Sequence, residues 1–173
     1  TGFLASTAVP VRMYFRPREG LETPDATISI LPFLYEMVGR QRRVARRQGI
    51  TMNANVLRSE STGSIHIKSA DPQVPPAIRF NFLSTEHDRA GIVAVIRKGR
   101  ELMATSPLRE ITGEEIAPGA KLQSDDELLE WVRNNAETTY HPVGTCKMGS
   151  DPLAVVDREL RVHGIEGLRV ADA

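Results

Sequence analysis

The sequence is poor in several features that would restrict its function at once. Its 173 residues include a single cysteine and a single tryptophan, and only 5% are aromatic. Cys146 cannot form an internal disulfide, which fits a reducing compartment, so we expect a cytoplasmic protein. Zinc sites need paired ligand spacings that are missing here, and we therefore expect no metal.

Net charge and long apolar runs are also missing. The formal net charge is zero, so no overall field attracts nucleic acid, and no apolar run approaches the roughly 20 residues of a membrane helix. We expect no nucleic-acid partner. Two interpretations of the basic run stay open: a solvated connection between strands, or a patch for anionic lipid or a partner subunit, which leaves membrane association open. The run comprises Arg40, Arg42, Arg43, Arg46 and Arg47.

The beginning of the chain carries neither an initiator methionine nor a signal-peptide pattern at Thr1–Leu4. The length suits one domain, or one and a fraction, with a hydrophobic core. We interpret the chain as a piece of a longer protein.

Alternation of polar and apolar residues predicts strands. The predicted strands are residues 11–15, 27–30, 50–56, 65–68 and a strand through 78–82, with 27–30 half-buried and a turn at 59–64 joining 50–56 and 65–68 into an antiparallel hairpin. The same alternation predicts that six apolar side chains are buried: Met52, Val56, Ile65, Ile67, Phe80 and Phe82.

Helical spacing follows the strands. Ser84 is predicted to cap a first helix with Glu86 and Asp88 in its first turn, and Pro107 to stop it. Its predicted apolar stripe is Ile92, Ile96, Gly99 and Met103, flanked by Val93 and Leu102. A capping box at 124–127 opens a second helix, whose predicted stripe is Leu128, Leu129, Val132 and Ala136. We predict an α+β fold with a mostly antiparallel sheet backed by helices.

The stretch 140–149 has the most distinctive chemistry. Pro142 fixes its own φ and restricts His141 to extended backbone, while Gly144 and Gly149 permit turns and close approach of a ligand. A histidine at such a rigid corner is suited to proton transfer. The other three histidines, His66, His87 and His163, are predicted to be surface or turn residues without a role.

The sequence Tyr-His-Pro-Val-Gly-Thr-Cys-Lys-Met-Gly at 140–149 closely resembles a segment of the glucose-methanol-choline (GMC) oxidoreductases. Its Thr-Cys-Lys-Met form is most similar to the choline dehydrogenase and alcohol dehydrogenase branch. Segments 57–64, 69–72 and 81–84 also resemble the C-terminal half of that family, in the same order.

This resemblance implies the functional residues. His141 would take the hydroxyl proton of a primary alcohol, with choline as one candidate, while hydride passes to N5 of FAD. Asp172 and Ala173 would contact the FAD ribityl and pyrophosphate, and Val143 and Gly144 the isoalloxazine. Cys146 and Met148 are interpreted as packing residues. A non-catalytic binding or structural module with the same fold is the alternative.

Two parts of the family pattern are missing from the chain. It has no Gly-x-Gly-x-x-Gly, so the resemblance implies an FAD-binding domain N-terminal to it, and it stops before the family's second catalytic residue, a His or Asn. We predict a substrate-binding domain at 1–135, and at 136–173 a return segment that reaches the FAD domain and is less ordered. The chain alone should bind FAD weakly or not at all and show no alcohol oxidation with added flavin. Electron acceptor and oligomeric state stay open.

Overall fold

A computed structural model describes residues 9–38 and 41–173. The chain forms two compact units: the first unit is Thr1–Ser64 with Phe80–Asn134, and the second unit is Ile65–Arg79 with Asn135–Ala173. The assignment of 1–135 and 136–173 to two functional domains stays a prediction. Two sequence interpretations concern residues outside the described ranges: the one of Thr1–Leu4 and, for the basic run, the part at Arg40.

The described residues form seven strands and three helices. They are β1 (Val11–Phe15), β2 (Ala26–Leu31), β3 (Tyr35–Val38), β4 (Gln41–Val44), β5 (Thr51–Val56), β6 (Ser64–His66), β7 (Ala77–Arg79), α1 (Glu86–Met103), α2 (Leu108–Ile111) and α3 (Asp125–Asn135). The predicted α+β class with antiparallel pairing and helices is confirmed.

The main sheet of the first unit has the order β1-β2-β5 and is antiparallel throughout. Central strand β2 places Ile28 opposite Met13 on one side and Ala54 on the other. The prediction that this strand is half-buried is wrong, because Thr27 and Ser29 are buried as well. Their hydroxyls are satisfied: Thr27 Oγ1 donates to the Met13 carbonyl at 2.9 Å, and Ser29 Oγ accepts from Arg12 Nε at 2.8 Å.

Helix α1 packs on this sheet through small residues. A Cβ on Gly91 would lie 3.1 Å from Val56 Cγ2, so the helix can approach β5 closely only because that side chain is absent. The fully buried apolar side chains of α1 are Val93 and Val95, whereas the predicted Ile92 and Ile96 are half-buried. The N-cap is Thr85, whose hydroxyl accepts from the Asp88 amide, one residue beyond the predicted Ser84.

The capping box at the start of α3 is confirmed. Ser124 N donates to Glu127 Oε2 at 2.9 Å, and Glu127 N donates to Ser124 Oγ at 3.3 Å. The buried residues of α3 are Leu128 and Val132. The helix ends at Asn135, so the predicted stripe stops one residue before Ala136, which is exposed.

The predicted hairpin between residues 50–56 and 65–68 is wrong. Strand β5 pairs with β2, while β6 belongs to a separate two-stranded sheet with β7. The segment between β5 and β6 is held by other partners: Leu57 N donates to the Asp25 carbonyl at 2.8 Å, and Arg58 N to Asp25 Oδ1 at 2.7 Å. These bonds use the backbone groups that a tight hairpin turn would need.

Four of the six apolar side chains predicted to be buried are exposed in this chain. Met52 and Val56 are half-buried against the helix, but Ile67 is 89% exposed and Phe82 58%, with Ile65 and Phe80 also exposed. Alternation fails after β7 because Asn81 and Leu83 adopt left-handed backbone with φ of 57° and 58°. As a result the rings of Phe80 and Phe82 stack, with centroids 5.0 Å apart.

Part of the basic run lies in a hairpin that the sequence did not suggest. Strands β3 and β4 pair antiparallel, with Tyr35 opposite Val44. The guanidinium of Arg42 lies over the ring of Tyr35, 5.3 Å from its centroid. The run is therefore partly strand rather than only a connection between strands. No helix in the described ranges has the length and apolar character required to cross a membrane.

Candidate functional site

All five predicted site residues belong to the second unit, which is built from turns and short backbone bridges. The motif segment bonds to residues 155–156: Val155 N donates to the Lys147 carbonyl at 2.8 Å, and Gly149 N to the Val156 carbonyl at 3.0 Å. The terminal run is held in the same way, by Val162 N to Leu168 O at 3.0 Å and Val170 N to Leu160 O at 3.0 Å.

A short hydrogen bond joins the two predicted cofactor-contacting segments directly. Gly144 N donates to the carbonyl of Ala173 at 2.7 Å. Gly144 has a φ of 93°, in the left-handed region, and nothing lies within 4 Å of the position of a Cβ. The structure therefore brings Val143 and Gly144 together with Asp172 and Ala173, although 27 residues of sequence lie between the two pairs.

His141 lies three residues before that bond. It is exposed, and Pro142 follows it as predicted. Tyr140, immediately before it, has a φ of 60°, and its amide donates to the Thr138 hydroxyl at 3.1 Å. An exposed imidazole on a restricted backbone can accept a proton from a bound molecule or donate one to it.

Asp172 presents its carboxylate at the end of the terminal run. One oxygen, Oδ1, accepts the amide of Ala173 at 2.8 Å, which fixes the side chain beside the backbone. A carboxylate has about four acceptor positions, so this group can also accept hydrogen bonds from ligand hydroxyls.

Asp157 organises the loop beside these segments. Its carboxylate accepts from the amides of Glu159 and Arg161 at 2.9 and 3.0 Å and from Arg161 Nε at 2.8 Å. Partial burial raises its pKa, but the hydrogen bonds and charge of Arg161 outweigh burial and lower it overall. Asp157 is thus an ionised structural group.

A surface concavity of about 600 Å³ in the second unit is lined by Asp157 and residues 161–169. It includes none of the predicted site residues. Predicted turn residue His163 lies on its wall, where Nε2 is 3.0 Å from the carbonyl of Gly149. Within residues 9–38 and 41–173, no three His, Cys, Asp or Glu side chains are grouped so that they could hold a metal ion.

The sequence interpretation missed a partly buried polar network in the first unit. His87, predicted as a surface residue, is half-buried, and its Nε2 lies 3.1 Å from Asp25 Oδ2 and its Nδ1 3.2 Å from Glu60 Oε1, with Arg18 against the same ring. Spacing could not reveal this cluster, because its members come from three distant parts of the chain.

Asp88, next to His87, is 2% exposed. Its carboxylate accepts from Ser59 Oγ at 2.6 Å and from the amides of Glu60 and Ser61 at 2.9 Å each. Burial raises the pKa of Asp88, but these hydrogen bonds outweigh it and lower the pKa to about 2. The family-like segment 57–64 is therefore held in place by two buried carboxylates, Asp25 and Asp88.

Curated proteins described as oxygen-dependent choline dehydrogenases are similar to this chain over its whole length. The Escherichia coli O127:H6 (strain E2348/69 / EPEC) protein described as oxygen-dependent choline dehydrogenase is 43% identical over 173 residues, which is 100% of this chain and 31% of the relative. The protein of the same description from E. coli strain K12 / DH10B gives the same identity and coverage. The chain thus spans about a third of the length of these curated relatives.

Solved structures share the fold. Pyridoxine 4-oxidase from Mesorbium loti superposes with a TM-score of 0.81 at 23% identity, covering 94% of this chain and 32% of that one. A formate oxidase, at 27% identity, has a TM-score of 0.73 and coverages of 92% and 28%. A variant of the Aspergillus oryzae RIB40 formate oxidase, described for its FAD modification, has 25% identity, a TM-score of 0.72 and the same coverages.

The family profile described as GMC oxidoreductase matches residues 59–173. That range contains the motif at 140–149, the bond between Gly144 and Ala173, and the segment held by Asp88. FAD is the cofactor of this family, and the Aspergillus oryzae formate oxidase structure is described for its FAD modification. The chain belongs to the GMC oxidoreductase family.

Proposed function

We propose that this chain is the C-terminal part of an FAD-dependent enzyme that oxidises a primary alcohol to the aldehyde, with His141 as the general base. Choline is the first substrate to test, because relatives 43% identical are described as choline dehydrogenases. The observation that carries the proposal is the 2.7 Å bond between Gly144 N and Ala173 O, since it joins the backbone beside His141 to the end that carries Asp172.

The residues around that bond fit a flat cofactor edge and a polyhydroxyl chain. The open space where Gly144 lacks a Cβ lets a planar ring approach the backbone, and exposed Val143 offers it an apolar contact. The carboxylate of Asp172 can accept from ribityl hydroxyls. FAD, when bound there, supplies the acceptor for the substrate's hydride.

His141 would then act on the alcohol oxygen. An alkoxide-like oxygen releases hydride from its carbon far more readily than a neutral hydroxyl, and a positioned base that takes this proton contributes roughly 10²–10⁴-fold. The base must be neutral to accept the proton.

The proposal includes a separate FAD-binding domain of the same protein, since this chain has no glycine-rich turn to hold the pyrophosphate. That domain is also a candidate to cover apolar side chains that are exposed in the chain, such as Ile67 and Phe82.

The test is the rate of flavin reduction in the complete flavoprotein. His141→Ala should retain bound FAD, because the main cradle lies elsewhere, and should slow reduction by choline about 10²-fold or more. The matched control is His66→Ala, which removes an exposed imidazole from the same unit and should leave the rate unchanged. Stopped-flow absorbance measures the reduction step, and the flavin spectrum measures FAD content.

Parental reduction by the His141→Ala protein would refute the assignment of the base. Full FAD occupancy with no reduction of the parental protein by any primary alcohol would instead support the alternative of a non-catalytic module. The two results are distinct because the first concerns one residue and the second the whole reaction.

A further inference from the structure

Tyr140 has a backbone conformation that its residue type does not favour. Its φ of 60° is left-handed, which is unfavourable for an ordinary L-residue, whereas Gly144 on the other side of His141 reaches a φ of 93° without steric strain. The side chain of Tyr140 is 78% exposed, so packing in this unit does not force the conformation. A local bond must support it.

That bond comes from Thr138. The amide of Tyr140 donates to Thr138 Oγ1 at 3.1 Å, closing a turn two residues long. Thr138 itself is half-buried, which limits the freedom of its side chain. Such a turn orients the amide of Tyr140 back toward residue 138 and so sets the direction in which the chain enters His141.

The backbone of His141 is restricted on both sides, on one by covalent geometry and on the other by a hydrogen bond. On the C-terminal side, the ring of Pro142 excludes helical backbone for His141 by covalent geometry. On the N-terminal side, the partner of the Tyr140 amide among the described residues is the Thr138 hydroxyl. Without this hydroxyl, the orientation of the His141 imidazole should be less restricted, while the restriction imposed by Pro142 is unchanged.

We propose that Thr138 is a positioning residue for His141, acting through the left-handed turn at Tyr140. This inference rests on the proposed role of His141 as the base. Thr138 takes no part in proton transfer. It holds the imidazole where a bound alcohol oxygen can reach it, and general-base efficiency depends on that geometry.

The experiment compares Thr138→Val with Thr138→Ser in the complete flavoprotein. Valine keeps the shape of threonine but cannot accept the Tyr140 amide, whereas serine keeps the hydroxyl. We expect the limiting rate of flavin reduction by choline to fall about tenfold in Thr138→Val, with FAD content and substrate affinity unchanged. Thr138→Ser should recover most of the parental rate, and the pH dependence of both variants should keep its parental midpoint because the base is the same.

Two results would overturn the proposal. One is a parental rate in Thr138→Val; the other is an equal fall in the valine and serine variants, which would indicate packing and not the hydroxyl. A wrong assignment of His141 as the base would be detected separately, because His141→Ala would then keep the parental rate.

A double-mutant cycle provides a second test if Thr138→Val is poorly folded. Tyr140→Gly adopts left-handed backbone without strain, so the rate loss caused by Thr138→Ala should be smaller, by about threefold, in the Tyr140→Gly background than in the parental one. If the rate losses caused by the two substitutions are additive, Thr138 does not act through the turn at Tyr140.

Discussion

The two units of the chain are stabilised by different means. Among the described residues, the buried apolar side chains all lie in the first unit except Val156. The first unit has a core in which Ala26, Ile28 and Val95 are packed together, with half-buried side chains around them. The second unit is joined mainly by backbone bonds across turns, such as those of residues 144, 149 and 162.

This difference separates stability from the proposed chemistry. A packed core gives strong and cooperative protection, whereas exposed backbone bonds with few apolar contacts open more easily. The predicted site residues are all in the unit with little core of its own. We therefore expect substitutions in the first unit to change the free energy of unfolding, and substitutions in the second unit to change mainly local order and activity.

The largest expected effect tests the core. Ile28→Ala should lower the free energy of unfolding by about 3 kcal/mol, because a buried isoleucine in a central strand leaves a cavity when truncated. Val156→Ala, at an equally buried position of the second unit, should cost about 1 kcal/mol. Urea unfolding followed by circular dichroism measures both. If Val156→Ala costs as much as Ile28→Ala, apolar burial stabilises the second unit as strongly as the first.

A smaller effect tests the buried carboxylate. Asp88→Asn should cost about 2 kcal/mol at neutral pH, because a neutral amide replaces the charged acceptor of the bonds from Ser59, Glu60 and Ser61. The folded-state pKa, about 2, lies below the ordinary 3.8, so this stabilisation is complete above the ordinary value and is lost as pH falls through about 2.

The same variant tests how the stabilisation by Asp88 depends on pH. The difference in stability between parental and Asp88→Asn proteins should shrink between about pH 4 and pH 2. Asp126→Asn, at an exposed position in the first turn of α3, is the control and should change stability little. A constant difference between the parental and Asp88→Asn proteins over that range would show that the loss comes from shape and not from charge.

The smallest expected effect lies in the second unit. Gly144→Ala should strain the left-handed backbone by about 1 kcal/mol, although there is room for the methyl group. Gly113→Ala also has open space but no left-handed φ, and it should be neutral. Hydrogen exchange of the residue 144 amide measures the result: it should speed up in Gly144→Ala, and unchanged protection would mean that the bond to Ala173 tolerates the strain.

Residue patterns predicted best where a local interaction decides the structure. The capping box at Ser124 and Glu127 and the strand at Val11–Phe15 follow from neighbouring residues alone, and the structure confirms them. The family could be identified in the same way, because the motif around His141 is continuous in sequence.

The predictions failed where partners are distant in sequence. Alternation suggested a hairpin after β5, but the backbone there bonds to Asp25 and Asp88, which are about 30 residues away on either side. Phe80 and Phe82 were predicted to be buried, yet the left-handed residue between them ends the strand pattern. Periodicity reports which side chains could share a face, and it does not report whether anything covers that face.

The sequence by itself determined the fold class, the family and the candidate base, because each depends on short patterns or a continuous motif. Only the tertiary structure decided that Gly144 bonds to Ala173, that His87 is half-buried, and that Thr138 supports the turn before His141. The physical reason is that hydrogen bonds between separate segments, and left-handed backbone at a residue other than glycine, depend on three-dimensional placement that composition and spacing do not encode.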